Sequence, residues 1–254
     1  MSFLARIKNY NYKKFKIMEK EILPYTKLPN QMPELEPLDK LIYLSIKRFK
    51  NNKTGKCFPT IETISRVSGV SYKVVVKTIQ KLVNLKYIQI NKVGRQNYYI
   101  FSDTNSFECF TDKFLDFTDI SFITKAYLAA IQQHMFIESD NTGKISYNNT
   151  KLSELINMSV RTIQRCQKEL KDLGFLTINK TTELDNVKYS KNLYIYHLYA
   201  FGQFVYEIKH INDKVDANHD LLDKHNKEIA ELYSMIEDLK KELDLKKTPT
   251  TFIL

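Results

Sequence analysis

The chain of 254 residues has no tryptophan, only six glycines and only three cysteines. Cys57, Cys109 and Cys166 lie 52 and 57 positions apart without a Cys-x-x-Cys pair. That spacing excludes a disulfide framework and a zinc knuckle, and leaves buried or half-buried thiols as their expected role. Apolar runs such as Val74 to Val76 fall far short of the roughly 18 to 20 residues that cross a bilayer, so no membrane partner is expected. Residues 1–20 scatter six Lys or Arg among Tyr and Phe, with no apolar h-region and no small-residue cleavage site. A secretory signal is not expected there, and a reducing, cytoplasmic setting is. None of the glycines sits in Gly-x-x-x-x-Gly-Lys-Ser/Thr or Gly-x-Gly-x-x-Gly, so no cradle for nucleotide phosphates and no cofactor is expected. There is no serine nucleophile elbow and no His-Glu-x-x-His. The enzymatic reading kept is a nuclease built on Asp112, Asp116 and Asp119; the expectation is a protein that is not an enzyme.

What is present is 43% apolar and 12% aromatic side chains, enough for one or two small domains with real cores. The formal net charge is +10, and it is uneven: residues 1–100 hold 20 basic against 6 acidic side chains, residues 201–254 hold 8 against 11. A one-sign field gathered in one part of a chain is the footprint of a polyanionic partner, chiefly nucleic acid; it also serves solubility.

The chain repeats itself. A shift of 88 residues aligns Thr54-Gly55-Lys56 with Thr142-Gly143-Lys144, Ser65 with Ser153, Ser71 with Ser159, Leu82 with Leu170, Leu85 with Leu173 and Ile90-Asn91-Lys92 with Ile178-Asn179-Lys180, without a gap. Two copies of about 80 residues read as tandem domains and not as a solenoid of short repeats.

In the first copy Leu41, Ile42, Ile46 and Phe49 recur at helical spacing over Leu38–Arg48, with Asp39 in the first turn where a carboxylate favours the helix dipole. Asn51–Gly55 is turn chemistry, Lys56–Phe58 predicts a short strand, and Pro59 ends it. Ile61, Ile64 and Val67 mark a short helix, Gly69 supplies a turn, and Ser71 is placed to cap the next helix. There Val75, Ile79, Leu82 and Leu85 form the apolar stripe, leaving Tyr72, Lys73, Val74, Lys77 and Lys81 toward the opposite side. Tyr87–Ile90, a loop with Gly94, and Tyr98–Phe101 predict a hairpin.

The string Cys57–Ile64, then Gly69-Val70-Ser71 and the helix ending before Lys86-Tyr87-Ile88, resembles a winged helix-turn-helix domain of plasmid and phage replication initiators and related regulators. Met158–Arg165 followed by Lys168–Leu176 is similar to the recognition helix and its exit into the wing, with Gly174 as the helix stop. The resemblance covers roughly residues 22–102 and 121–200, and Tyr25–Asn30 resembles the segment that precedes helix one in such initiators. It implies double-stranded DNA as partner, with the helix from Ser71 in a major groove. Lys73, Lys77 and Lys81 would form a cationic row, and Arg95, Gln96 and Asn97 at the hairpin tip would reach phosphates or the adjacent minor groove. In the second copy Ser159, Arg161, Thr162, Gln164, Arg165 and Lys168 would occupy the corresponding arc. Arg can read guanine and Gln adenine, so this helix has the better base-reading chemistry. A protein-binding role for the second copy stays open, since fold does not transfer function.

Residues 1–37 read as a basic, aromatic arm that either contacts nucleic acid or packs on the first domain. In the linker 103–120, Phe107, Phe110, Phe114 and Phe117 predict a short helix between the domains. From Phe201 a heptad runs through Ile208, Ile211, Val215, Asn218, Leu222, His225, Ile229, Leu232, Ile236, Leu239 and Leu243. It predicts a coiled coil over 201–246, before a tail at 247–254. A homodimer is favoured and a trimer is left open; His225 in the seam suggests weakening by acid. His210, His219 and His225 are wrongly spaced for a metal site. The expected fold is thus mainly α with small β-hairpins (α+β): domains at 38–102 and 121–200, then the coiled-coil helix. The function expected is site-specific duplex binding by an oligomeric replication initiator or replisome organiser that meets host replication proteins. A transcriptional or partition regulator and a winged-helix protein adaptor are the alternatives.

Overall fold

The computed structural model describes residues 24–102, 106–181, 191–201 and 203, and the positions 220–232, 234–236 and 238–239. The chain divides into two compact units, 1–206 and 207–254.

The first unit opens with strand β1 (Tyr25–Pro29), followed by helices α1 (Pro37–Lys47), α2 (Ile61–Ser68) and α3 (Tyr72–Asn84) and the hairpin β2 (Ile88–Val93)–β3 (Gln96–Phe101). Strand β4 (Phe107–Thr111) and the short helix α4 (Asp112–Asp116) lead to α5 (Phe122–Ile131). After a 3-10 turn come β5 (Phe136–Ile137), β6 (Thr142–Ile145), α6 (Asn149–Ile156), α7 (Val160–Asp172), β7 (Leu176–Thr181) and β8 (Lys191–His197). The shift of 88 carries α2 onto α6, α3 onto α7 and β2 onto β7, end for end. It also carries the two left-handed backbone positions onto each other: Gly69 (φ 71°) onto Asn157 (φ 51°), and Lys86 (φ 61°) onto Gly174 (φ 76°). The repeat read in the sequence is therefore a repeat of backbone geometry.

The halves are not beads on a linker. Helix α1 packs on α5, and one hydrophobic cluster runs from Leu28 to Leu198 through both halves. Leu41, Ile42, Tyr43, Leu44 and Ile46 of α1 and all of Ala126–Ile131 of α5 are buried, as expected of helices covered on every side. Ala126, Ala129 and Ala130 are small side chains, which suits helices packed closely.

The linker departs from the predicted short helix. Residues 107–111 form a strand that pairs antiparallel with β1, Tyr25 opposite Thr111 and Pro29 opposite Phe107, and only Asp112–Asp116 is helical. The end of the arm and the linker thus make a two-stranded sheet between the halves. Phe110 and Phe114 are buried 5.4 Å apart, so the Phe spacing serves a strand-to-helix corner. Gln203 closes this corner. Its Oε1 accepts from the Thr111 amide (2.9 Å) and hydroxyl (3.2 Å), while its Nε2 donates to the Cys109 carbonyl (2.6 Å) and to Gln132 Oε1 (2.8 Å). Such a buried amide with both ends satisfied fixes where the chain leaves the unit. It also overrides the heptad at its start, because Leu198–Phe201 is a 3-10 turn inside the first unit.

Lys56–Phe58 does not form the predicted strand. Asn51 Oδ1 accepts from the amides of Lys53 and Thr54 (both 2.9 Å), and Gly55 turns with φ 69°. The segment meets β3 through one backbone hydrogen bond, the Cys57 carbonyl accepting from the Tyr99 amide at 2.8 Å, and through the Phe58 ring against Tyr98. In the second half the matching β6 joins a sheet of order β5-β6-β8-β7. The three cysteines are buried thiols; burial pushes Cys57 up to about 12. Among the described residues no helix is long and apolar enough to cross a membrane.

In the second unit the described residues between 220 and 239 are helical and exposed. Leu222, His225, Ile229, Leu232, Ile236 and Leu239 keep the alternating three and four spacing of the heptad, and its apolar members stand open. Ile208, Ile211, Val215, Asn218 and Leu243 lie outside the described residues.

Candidate nucleic-acid interface

Helix α3 turns Val75, Thr78, Ile79 and Leu82 into the core. The opposite face then follows from 100° per residue: Lys73, Lys77, Gln80 and Asn84 fall on one exposed row, flanked by exposed Tyr72, Val74 and Val76. Gln80 and Asn84 belong to this face but not to the set Tyr72, Lys73, Val74, Lys77 and Lys81 expected from the sequence. Gln80 Nε2 donates to Asn84 Oδ1 at 2.9 Å, which holds two amides side by side on the outer face. Two valines among them offer apolar contact to a thymine methyl.

Lys81 is a correction to the expected row. Its ammonium lies 2.5 Å from Asp39 Oδ2, across on α1. Asp39 is only 6% exposed and both its oxygens are engaged: it caps α1 by accepting from the Glu36 amide on Oδ2 (3.1 Å) and takes the Thr78 hydroxyl on Oδ1 (3.1 Å). A buried carboxylate needs this many partners, so Lys81 is committed to the fold. Ser71 is a second correction: it stands at the N-cap with extended backbone, but its side chain makes no capping hydrogen bond. Ser159 does cap α7, accepting from the Thr162 amide at 3.2 Å, and its hydroxyl meets that of Thr162 at 2.8 Å.

After α3 comes a regular hairpin, Ile88 opposite Phe101 and Val93 opposite Gln96, at the place where the resemblance expects a wing. Gly94 (φ 61°) and Arg95 make its two-residue turn, where glycine in the first place gives the twist the strands need. Arg95 and Gln96 are exposed and Asn97 half-buried at the tip. In the second half, residues 182–190 between β7 and β8 lie outside the described residues.

Helix α7 buries Ile163, Cys166, Gln167 and Leu170, and leaves Arg161, Gln164, Arg165 and Lys168 exposed and Thr162 half-buried. Lys168 is partly neutralised by Asp172, 2.6 Å away. At the position matching Lys81, α7 carries Glu169. It takes hydrogen bonds from the Ser121 amide (2.6 Å) and hydroxyl (2.8 Å) and from the Thr124 hydroxyl (2.6 Å), at the N-terminus of α5. Burial raises its pKa, but those hydrogen bonds and the nearby Arg165 charge outweigh it and hold the carboxyl below its ordinary value.

A family model described as a helix-turn-helix domain matches residues 34–88. The match spans α1, α2 and α3 and ends where β2 begins. A helix-turn-helix domain points to DNA as the partner, and the exposed row of α3 lies on its third helix. The second half lies outside the matched stretch. No curated protein matches the chain.

Two of the three carboxylates of the nuclease reading, Asp112 and Asp116, have a structural use. Arg48 holds Asp116 with two hydrogen bonds (2.7 and 3.0 Å) and stands 3.8 Å from Asp112. The hydrogen bond from Arg48 lowers the Asp116 pKa, whereas burial raises that of Asp112. One guanidinium thus ties α1 to α4.

Proposed function

We propose that the protein binds specific sites on double-stranded DNA through two tandem winged helix-turn-helix heads fused by a common core, that it acts in the cytoplasm as an oligomer joined through the C-terminal helix, and that it is not an enzyme. The observation that carries this reading is the exposed row Lys73, Lys77, Gln80 and Asn84 on the third helix of the matched domain, backed by a fully buried apolar face. The row combines phosphate-seeking cations with amides able to read adenine, which is what a groove-lying helix needs. Ser71, whose hydroxyl is not spent on a cap, sits at the positive end of that helix and suits a phosphate. Arg95, Gln96 and Asn97 extend the contact from the wing. Arg161, Gln164 and Arg165 give the second head its own reading set.

The exposed apolar seam through Leu222, Ile229, Leu232, Ile236 and Leu239 supports self-association, as a homodimer in the leading version and a trimer in the other. Paired heads on paired chains suit a replication initiator or replisome organiser that grips repeated sites and offers a scaffold to host replication proteins. A transcriptional or partition regulator would use the same contacts. The pairing of Lys168 with Asp172 favours, as a second reading, a second head that binds protein in place of DNA.

Selection of bound duplexes from a random pool by the full-length protein tests the reading. Paired motifs, lost when Lys73, Lys77, Arg161 and Arg165 become Ala, are expected. Recovery of no duplex at all would leave the adaptor reading. Mapping the motifs to an origin or to a promoter separates initiation from regulation.

A further inference from the structure

The outer faces of the two third helices can be compared position by position. Helices α3 and α7 have 13 residues each, and the shift of 88 lays their buried sets on one another: Val75, Thr78, Ile79 and Leu82 onto Ile163, Cys166, Gln167 and Leu170. Equal burial means equal rotation, so residues 88 apart occupy the same place on the exposed face. The exchanges on that face share a direction. Lys73 and Lys77 become Arg161 and Arg165, Val74 becomes Thr162 and Val76 becomes Gln164, while the amide pair Gln80 and Asn84 becomes the ion pair Lys168 and Asp172. Val74 and Val76 are 36% and 40% exposed, near the start of α3, where a groove-lying helix meets base edges. A valine offers methyls and no donor or acceptor. It gains from a thymine methyl and leaves the polar edge of a G·C pair unanswered. A lysine ammonium is a point charge suited to a phosphate, whereas the planar fork of arginine matches guanine O6 and N7 together.

We propose that the two heads read unlike bases: α3 selects A·T pairs through Val74, Val76 and Gln80, and α7 selects guanine through Arg161 and Arg165, with adenine for Gln164. The chain then recognises a composite target, an A·T-rich motif and a guanine-bearing motif, and not two copies of one motif. The inference rests on the DNA reading above and adds which bases each helix takes. The repeat isolates the cause. Helix length and buried face are the same in both heads, so the exchanged side chains carry the difference in sequence preference. Lys73 and Lys77 supply grip on the backbone beside the A·T-rich motif without choosing its bases.

The test is selection of duplexes from a random pool by the full-length protein and by two exchange variants, Lys73→Arg/Val76→Gln/Lys77→Arg and Arg161→Lys/Gln164→Val/Arg165→Lys. All of these positions are exposed, and thermal melting checks that each variant folds. The wild type is expected to return both motifs. The first exchange is expected to replace the A·T-rich motif by a second guanine-bearing one, and the second exchange to lose the guanine. On a duplex selected by the wild type, replacing one guanine is expected to weaken binding about 5- to 100-fold, an effect that the second exchange removes. Two like motifs from the wild type, one motif alone, sequence-blind binding, or motifs unmoved by the exchanges would overturn the proposal while duplex binding stands. Recovery of no duplex would overturn the DNA reading itself, and the proposal with it.

Discussion

The two halves of the first unit share one backbone plan and differ in charge at the place where the third helix, α3 or α7, is anchored. In the first half Lys81 reaches from α3 to a buried carboxylate, Asp39, that already caps α1. In the second half the matching position is Glu169, and it supplies the anion to the α5 N-terminus directly. Either way a helix start receives a negative group and the third helix is tied to it, which satisfies the same backbone dipole by opposite side chains. The anchor is thus a structural requirement of the repeat, and the outward faces are where the halves are free to diverge: Lys, Gln and Asn in the first, Arg and Gln in the second.

The comparison can be broken at its buried end. Asp39→Ala removes the cap of α1 and strands Lys81 and Thr78, and is expected to cost about 3 kcal/mol by chemical denaturation. Glu169→Ala, more exposed, is expected to cost less, about 1–2 kcal/mol. Acid sharpens the contrast. Because the folded pKa of Glu169 is depressed, its contribution is complete above the unfolded carboxyl value of about 4.3 and is lost as pH falls through the lower folded value. Unfolding midpoints of the wild type and Glu169→Gln are therefore expected to converge below that window and to differ above it.

The two left-handed positions give a third comparison. Gly69 carries φ 71°, and a Cβ there would lie 3.3 Å from Phe122 Cβ, so Gly69→Ala is expected to cost about 1–2 kcal/mol. Asn157, at the matching place, tolerates the conformation, and Asn157→Gly is expected to change stability by a few tenths of a kcal/mol. The smallest effect is a gain: Lys86 holds φ 61° where the second half uses Gly174, so Lys86→Gly is expected to raise stability by about 0.5–1 kcal/mol.

The repeat, the helices and the hairpin after α3 were legible because they rest on signals within short stretches of sequence. The shift of 88 is a property of the sequence, and burial of Val75, Ile79 and Leu82 follows from helical period. What was not legible depends on partners far along the chain. Nothing near Lys81 announces Asp39, 42 positions earlier, and a Lys spaced four from Lys77 looks like one more surface cation. Pairing of Tyr25–Pro29 with Phe107–Thr111 and the closure of that corner by Gln203 are equally non-local. Gln80 and Asn84 lie opposite the apolar stripe by the same helical period, so carrying the outward face through to the last turn of the helix finds them. The fusion of the halves through α1 and α5 had one available sign, the near-continuous apolar character of Ala126–Ile131, which a helix with a solvent face would not show.

The central claim is that both reading helices meet DNA phosphates. Its most direct test is the salt dependence of duplex binding for the wild type, for Lys73→Ala/Lys77→Ala and for Arg161→Ala/Arg165→Ala, each about 0.9 log units in affinity per log unit of salt for every phosphate neutralised. The account predicts a shallower slope in both variants, by about one to two phosphates each. An unchanged slope in either variant, or no duplex binding by the wild type, would contradict it.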